Sequence, residues 1–159
     1  MAVAPPATAL ALRSCWPIIP RLSADLTREH HLLLQRPAEA GNIAVLETML
    51  AFGFDPNARD KDGVTALHRA AISGHPGATR ALITGGADVH AVDGMFSAPP
   101  LVWAVEGRGH AAPGADHVHV ARLLVAAGSP RAWHPKPDTP SPERTQEGLL
   151  ELLREADAG

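Results

Sequence analysis

Residues 60–93 read DKDGVTALHRAAISGHPGATRALITGGADVHAVD and form the most regular stretch of the chain. Thr65 stands where the N-cap of a helix is expected, because its hydroxyl can accept a hydrogen bond from a free N–H of the first turn. Leu67 and Ala71 follow at the spacing of one helix face, and Gly74 then breaks the pattern. The stretch therefore predicts a short helix between Thr65 and Gly74.

A second short helix is predicted over residues 77–84 of the same stretch. Ala78 and Leu82 lie on one face of this helix and need to be covered. The pair Gly85-Gly86 ends the helix, because glycine adopts positive φ without strain. Two small, alanine-rich antiparallel helices cannot bury their apolar faces alone. Neighbouring segments must supply the rest of the core.

Those neighbours are visible as an internal repeat. Identical residues recur at the interval that separates Gly41 from Gly74. Six pairs of identical residues keep this interval, which is hard to obtain by chance in a chain of 159 residues. The pairs are Gly41 and Gly74, Gly53 and Gly86, Asp55 and Asp88, Ala58 and Ala91, Asp60 and Asp93, and Leu34 and Leu67. The chain is predicted to be an array of repeats.

The central repeat resembles the ankyrin repeat, which has this period and the signature T-P-L-H-x-A. Here the signature reads Thr65-Ala66-Leu67-His68-Arg69-Ala70, with alanine in place of the proline, and the repeat closes with Gly86-Ala87-Asp88-Val89. The resemblance implies an all-α solenoid of about three helix-turn-helix repeats with hairpin-like turns. It also implies that His68 and His75 form hydrogen bonds within and between repeats. The residues of the structural signature are Thr65, Leu67, His68, Ala70, Gly74, His75 and Gly86.

The three repeats are predicted at about 26–59, 60–92 and 93–134, within an ankyrin-repeat domain that spans residues 23–159. The first repeat keeps a second helix at about 43–52. Its first helix, at about 26–36, matches the family poorly, because Gln35 replaces the signature histidine. Pro37 is expected to end or kink that helix.

The third repeat is longer than the others. Leu67 and Leu101 lie one position further apart than the repeat interval, which indicates an insertion in the turn before the first helix. Gly86 and Gly128 lie further apart still, which indicates a longer insertion between the two helices. The helices are predicted at about 100–106 and 116–127, with Asp116 as an N-cap and residues 107–115 as an exposed loop.

A capping helix is predicted at about 141–156, after a proline-rich turn over residues 130–137. Ser141-Pro142-Glu143 combines a capping hydroxyl, a first-turn proline and an acid favoured by the helix dipole. Leu149, Leu150, Leu152 and Leu153 are expected to form one apolar stripe. Such a helix would cover the last open face of the array.

The composition is globular, with 45% hydrophobic and 19% charged residues. A formal net charge of -3 gives no general attraction to nucleic acid, and no run approaches the roughly 18 apolar residues of a membrane span. We expect a monomer in the cytoplasm. Residues 1–22 are proline-rich and expected to be disordered, with a misassigned start or an organellar transit peptide as alternatives. The single cysteine, Cys15, excludes an intramolecular disulfide.

The chain offers little catalytic chemistry. His117 and His119 are two positions apart on a predicted helix and point about 200° apart, so they are unsuited to one metal ion and are expected to be solvated. Cys15, Ser73 and Ser97 have no base or orienting acid in a recognisable motif. The sequence predicts no catalytic residues, no metal and no cofactor, and the chain is not expected to be an enzyme.

The resemblance instead assigns a partner-binding surface to turn tips and first helices. The positions of this surface are Arg59, Lys61, Asp62, Val64, Ile72, Ser73, Val92, Met95, Phe96 and Glu106. Met95 and Phe96 could equally pack into their turn. Trp103 is expected in the core, with the binding surface as the alternative. Trp133 is expected to cover the capping helix, with an interface anchor as the alternative.

We therefore expect a non-catalytic protein–protein interaction module, either an adaptor or an inhibitor that occludes its partner. The alternative is a regulatory or sensing fragment of a larger system whose catalytic or membrane part lies elsewhere. A metal-dependent enzyme built on the histidines near the 107–115 loop is the third and least favoured hypothesis. Ankyrin arrays bind unrelated proteins on one scaffold, so the resemblance implies a protein partner without naming it.

Overall fold

A computed structural model describes residues 26–159, and the regular secondary structure within that range is entirely helical. This confirms the predicted all-α fold. The expected disorder of residues 1–22 and the position of Cys15 lie outside the described range. The helices are α1 (Arg28–Leu32), α2 (Gln35–Glu39), α3 (Ile43–Ala51), α4 (Ala66–Ser73), α5 (Pro76–Thr84), α6 (Pro100–Arg108), α7 (His117–Ala126) and α8 (Pro142–Asp157). None of these helices is long and apolar enough to cross a membrane.

The helices form two layers. α2, α4 and α6 pack side by side in one layer, and α3, α5 and α7 pack in the other. One continuous core lies between them, and each helix from α3 to α8 contributes a leucine of zero exposure. These leucines are Leu46, Leu67, Leu82, Leu101, Leu124 and Leu152. Alanines fill the remaining core positions, which lets the thin helices approach closely.

The central hairpin folds as its sequence predicts. Thr65 is the N-cap of α4, and Gly74 ends the helix in the left-handed region at φ 69°. Proline begins α5 at Pro76, where its missing N–H would have no partner within the helix. Leu67 and Ala71 are fully buried, and α4 packs against both α2 and α6 of its layer. The hairpin therefore depends on both neighbours for its core.

The first repeat differs from its prediction, because the expected helix over 26–36 is two helices. α1 ends at Leu32, and α2 begins at Gln35 and continues through Pro37. Pro37 occupies the third position of α2, where a backbone N–H has no partner within the helix, so the proline removes no hydrogen bond. Pro37 therefore does not end the helix, and the break at Leu33 and Leu34, where its ring would crowd the carbonyl of Leu33, fits the expected kink.

Gln35 takes the place of the signature histidine in its contacts as well as in its position. Its Nε2 donates to the carbonyl of Val64 at 2.9 Å. In the central repeat, His68 Nε2 contacts the carbonyl of Ala98 at 3.1 Å. Val64 and Ala98 each lie directly before the N-cap residue of the next helix in their layer. An amide and an imidazole thus make the same link between successive repeats.

In the third repeat, the first helix is longer than predicted. α6 continues to Arg108, past the expected end at residue 106, because Gly107 has no side chain to collide with the neighbouring helix. A Cβ on Gly107 would overlap the carbonyl oxygen of Ile72. Asp116 is the N-cap of α7, and its side chain accepts a hydrogen bond from the N–H of His119 at 2.9 Å.

The last helix, α8, closes the array by packing on both α6 and α7. Its apolar face consists of Leu149, Leu152, Leu153 and Ala156, which follow the helical spacing i, i+3, i+4 and i+7. Leu150 lies on the opposite side and is 59% exposed, so the predicted four-leucine stripe is wrong at this position.

The start of α8 also differs from its prediction. Ser141 is the N-cap, but its backbone is left-handed at φ 49° and its hydroxyl makes no capping hydrogen bond. Trp133 covers α8, which agrees with its expected role and not with the alternative of an interface anchor. It is 4% exposed, its Nε1 donates to the carbonyl of Phe96 at 3.3 Å, and its own carbonyl accepts from Gln146 Nε2 at 3.3 Å.

The role of α8 can be tested with two leucines on opposite sides of the helix. Leu152→Ala should lower the free energy of unfolding by about 2–5 kcal/mol, because it leaves a cavity in the core. Leu150→Ala removes the same atoms from the solvent-exposed side and should change it by less than about 0.5 kcal/mol. Urea unfolding of both variants measures the difference. Equal effects would mean that α8 does not close the core.

Candidate partner-binding groove

A groove of about 720 Å³ lies between α6 and α8, bordered by the turns at residues 93–98 and 139–141. This size falls within the range of about 300–1,000 Å³ that is usual for ligand-binding sites. The floor is mainly apolar, and α8 forms one wall with polar side chains. The apolar residues of the lining are Ile72, Met95, Phe96, Ala98, Val102, Trp103, Val105 and Trp133.

The groove brings together four of the residues predicted to bind a partner: Ile72, Met95, Phe96 and Glu106. The other predicted residues lie outside its lining. Arg59, Lys61 and Val92 are exposed, and Asp62 and Ser73 are half-buried. The structure thus divides the predicted surface into a groove and a separate set of positions in the turns and at the end of α4.

Val64 does not belong to this surface. It is 1% exposed, its N–H donates to Asp60 Oδ1 at 2.9 Å, and its carbonyl accepts from Gln35 Nε2. A side chain in this position is covered by the preceding repeat and cannot contact a partner. The prediction failed because the turn at Asp60 directs the residue before the N-cap inward.

The turn at residues 93–98 owes its shape to the carboxylate of Asp93, which is 2% exposed. Oδ1 accepts hydrogen bonds from the N–H groups of Met95 at 2.8 Å and Phe96 at 2.6 Å. Oδ2 accepts from the N–H of Ala98 at 3.3 Å and from Trp103 Nε1 at 2.8 Å. Four donors on one buried carboxylate fix the turn to α6, since a charge in this position is stable only when it is fully hydrogen-bonded.

Within this turn the two apolar residues behave differently. Met95 is 44% exposed at the edge of the groove. Phe96 is half-buried and packs against the core, while its backbone carbonyl accepts the indole hydrogen bond of Trp133. The interpretation as turn packing therefore fits Phe96, and the interpretation as exposed surface fits Met95.

Trp103 belongs to both the core and the groove. Its ring is half-buried and packs edge-on against His68, with 5.3 Å between ring centroids. The guanidinium of Arg69 lies 5.9 Å from the centroid of the indole. The hydrogen bond to Asp93 and the contact with His68 hold the ring in place, so the indole presents a rigid apolar surface to the groove.

His68 lies fully buried beneath this tryptophan. Its Nδ1 accepts from the N–H of Thr65 at 3.2 Å, and the Thr65 hydroxyl lies 2.9 Å away. With Nδ1 as an acceptor, Nε2 carries the proton and donates to the carbonyl of Ala98. Burial lowers the pKa of His68 from 6.5 to about 4, although the Ala98 carbonyl and the charge of Asp93 act in the opposite direction. The ring is therefore neutral near pH 7, with both nitrogens engaged in structural contacts.

His117 is buried rather than solvated, which corrects the expectation for this residue. It is 5% exposed, and its Nε2 forms a hydrogen bond with the carbonyl of Ile72 at 3.0 Å. The interval from His75 to His117 equals the interval from Gly86 to Gly128. This repeated interval was the signal for a structural role. His119 instead lies near Asp116, and no group of three potential metal ligands occurs within residues 26–159.

Sequence reasoning missed the residues that α8 contributes to the groove. Arg144, Thr145, Glu147, Gly148 and Glu151 all line it. The prediction treated this helix only as a cap over the last open face of the array. A signal was present, because Pro142 follows Pro100 at the same interval by which Gly128 follows Gly86. That interval places α8 in register with α6, a helix that borders the binding surface.

Comparisons with known proteins agree with this architecture. The profile described as "Ankyrin repeats (many copies)" matches residues 34–83. Palmitoyltransferase Hip14 of Drosophila melanogaster is 36% identical over 94 residues, which cover 59% of this chain and 14% of Hip14. Ankyrin repeat domain-containing protein 49 of Bos taurus is 44% identical over 61 residues, covering 38% of this chain and 26% of the relative. The human protein of the same name is 61% identical over 36 residues, covering 23% and 15%. The match thus spans about a quarter or less of each relative.

The buried histidine predicts a specific pH dependence of stability. The unfolded chain binds a proton at His68 below about pH 6.5, whereas the folded chain binds it only near pH 4. The free energy of unfolding should therefore fall as the pH is lowered from 6.5 to 4. The slope from this residue should be up to about 1.4 kcal/mol per pH unit. Above pH 6.5 its full contribution is present.

The His68→Gln variant is the matched control, because Gln35 makes the equivalent hydrogen bond in the first repeat. Urea unfolding at several pH values between 4 and 7 should show a weaker pH dependence for this variant than for the wild type. The difference isolates His68 from the carboxylates that titrate in the same range. Identical pH dependence in the two proteins would contradict the assigned neutral state.

Proposed function

Since this chain carries ankyrin repeats, we propose that it is a non-catalytic module that binds a partner protein in the groove between α6 and α8. Ankyrin repeats indicate a protein–protein interaction module. The role as an adaptor or as an inhibitor that occludes its partner is part of the proposal. Both roles use the same surface and differ only in what the bound partner can still do.

The observation that carries the proposal is the exposed apolar surface of the groove. Met95 is 44% exposed, and Ile72 and Trp103 are half-buried beside it. A contiguous apolar surface in a concave site is a typical feature of a binding site. Tryptophan is among the residues that contribute most to binding energy at protein interfaces, particularly when its ring is held in place.

The polar groups of the groove support binding rather than catalysis. His68 lies beneath Trp103 and outside the lining, and both of its ring nitrogens are occupied by structural hydrogen bonds. Trp103 Nε1 is held by Asp93. Thr145, the hydroxyl in the wall, donates to Glu106 Oε1 at 2.5 Å. Thr145 is only 7% exposed, so this hydroxyl links α8 to α6 and is not presented to the open groove. The described lining offers shape, apolar surface and charge, which are the means of recognition.

The remaining parts of the proposal concern assembly and location. We propose a monomer, because α8 exposes Glu143, Gln146 and Arg154 outside the groove, and a polar outer face disfavours stacking of a further copy on that end. We also propose that the chain acts in the cytoplasm and that its partner is a protein rather than nucleic acid. The formal net charge of -3 supports the latter point.

A second candidate function is that of a regulatory part within a larger system. The supporting observation is the limited coverage of the relatives, since the match to Hip14 comprises only 14% of a protein named as a palmitoyltransferase. In that case the groove would recruit or position a target for a catalytic part that lies elsewhere. Partner binding in the groove is common to both candidates.

The proposal is tested by placing charges in the groove. The double variant Ile72→Glu and Met95→Glu should weaken partner binding by about 2 kcal/mol or more, because it buries unpaired carboxylates against the partner. A partner is obtained by affinity capture with the full chain, and its Kd for each variant is measured by calorimetry. Circular dichroism checks that the helical content is unchanged.

The matched control is Val45→Glu and Leu150→Glu. These residues are also exposed and apolar, at 41% and 59%, but they lie outside the groove. This control adds the same charge and should leave the Kd unchanged. If both double variants weakened binding equally, or if neither did, the partner would bind elsewhere on the chain.

A further inference from the structure

The polar wall of the groove carries an unbalanced charge. Three exposed carboxylates line it: Glu106 from α6, and Glu147 and Glu151 from α8. None of the three takes part in an ion pair within residues 26–159. Glu106 accepts one hydrogen bond, from the hydroxyl of Thr145, which is uncharged. The negative charge of the wall is therefore not neutralised by the described part of the protein.

The positive charges of the lining do not offset these carboxylates. Arg108 already forms an ion pair with Glu155, which accepts from its NH2 group at 2.9 and 3.2 Å. Arg144 is the other arginine of the lining, and it has no ion-pair partner in the described part of the chain. Within residues 26–159, one unpaired arginine against three unpaired carboxylates leaves the groove negative, apart from His110 at its edge.

The two carboxylates of α8 are placed so that one cation could contact both. Glu147 and Glu151 are four positions apart and thus lie one above the other on the same helix face. Like charges at this spacing destabilise a helix, and a bound cation removes that repulsion. The apolar floor lies beside them, with Met95 and Trp103 in the same groove. The groove thus combines an apolar surface with an adjacent negative wall.

We propose that the groove binds a partner segment in which apolar side chains are combined with at least one lysine or arginine. The apolar side chains lie on the floor formed by Ile72, Met95 and Trp103. The cationic side chain lies against Glu147 and Glu151. This inference rests on the proposed function and specifies the chemistry of the partner. An acidic segment would meet uncompensated repulsion from the wall, and a purely polar one would leave the apolar floor without a contact.

The test uses short random peptides displayed on phage and selected on the full chain. Peptides that bind the wild type but not the Ile72→Glu and Met95→Glu variant are kept as groove-dependent. These peptides are then synthesised, and the Kd of each is measured for the wild type and for charge variants. We expect the retained peptides to combine apolar residues with a net positive charge.

Removing a negative charge from the groove and removing a positive one should have opposite effects on the Kd. Glu147→Gln and Glu151→Gln should each raise the Kd of these peptides about 1.5- to 5-fold, as is usual for exposed ion pairs. Arg144→Gln should lower the Kd, because it removes a positive charge from the groove. The control Glu29→Gln and Glu39→Gln removes two exposed carboxylates at the other end of the array and should leave the Kd unchanged.

The outcomes separate this inference from the proposed function. Groove-dependent peptides that are neutral or acidic, or whose Kd is the same for the Glu147 and Glu151 variants, would overturn the inferred partner chemistry and leave the groove as a binding site. A selection that yields no groove-dependent peptides would contradict the proposed function and the inference together. Basic, apolar peptides whose Kd rises with Glu147→Gln and Glu151→Gln and falls with Arg144→Gln would support the proposed function and the inferred partner chemistry.

Discussion

The array depends on one recurring interaction, in which a side chain of one repeat donates to a backbone carbonyl of the next. His68 makes it with Ala98, and Gln35 makes it with Val64. The net gain from one such bond is only about 1 kcal/mol, but a buried carbonyl left without a partner costs about 1–3 kcal/mol. Each link therefore favours one spacing between adjacent repeats over any other.

This link also explains the protonation state of His68. A donor must reach the carbonyl of Ala98 while Nδ1 accepts from Thr65, so the imidazole carries one proton and no charge. Burial lowers the pKa of His68 to about 4 and keeps it in that state near neutral pH. Glutamine offers the same donor without titrating. The first and second links of the array thus have one geometry and different responses to acid.

The regular parts of the fold could be predicted because the sequence patterns that specify them are short and recur along the chain. The constant repeat interval and the run Thr65-Ala66-Leu67-His68 were sufficient to predict the central hairpin and its neighbours. The errors lie where a tertiary contact decides. Leu150 faces outward because the packing of α8 on α6 and α7 turns Leu149 and Leu152 into the core.

The candidate site was predicted less well, for a related physical reason. The resemblance supplied turn tips and first helices, and four of those residues do line the groove. Whether a residue is exposed depends on which segments cover it in the folded chain. For this reason Val64 was wrongly assigned to the binding surface, and His117 was wrongly expected to be solvated. The wall formed by α8 could not be derived from the signature, because that helix departs from it in both length and composition.

That departure is what opens the groove. The helix α8 has 16 residues, whereas α4 has 8 and α6 has 9. It approaches α6 closely at Gly148, where a Cβ would lie 2.7 Å from Val105 Cγ1, and it contacts α7 as well. A helix that lies against both layers cannot cover α6 along its whole length. The uncovered part of α6, with Trp103 fixed by Asp93, becomes the floor of the groove. The same helix that closes the core thus provides the charged wall of the site.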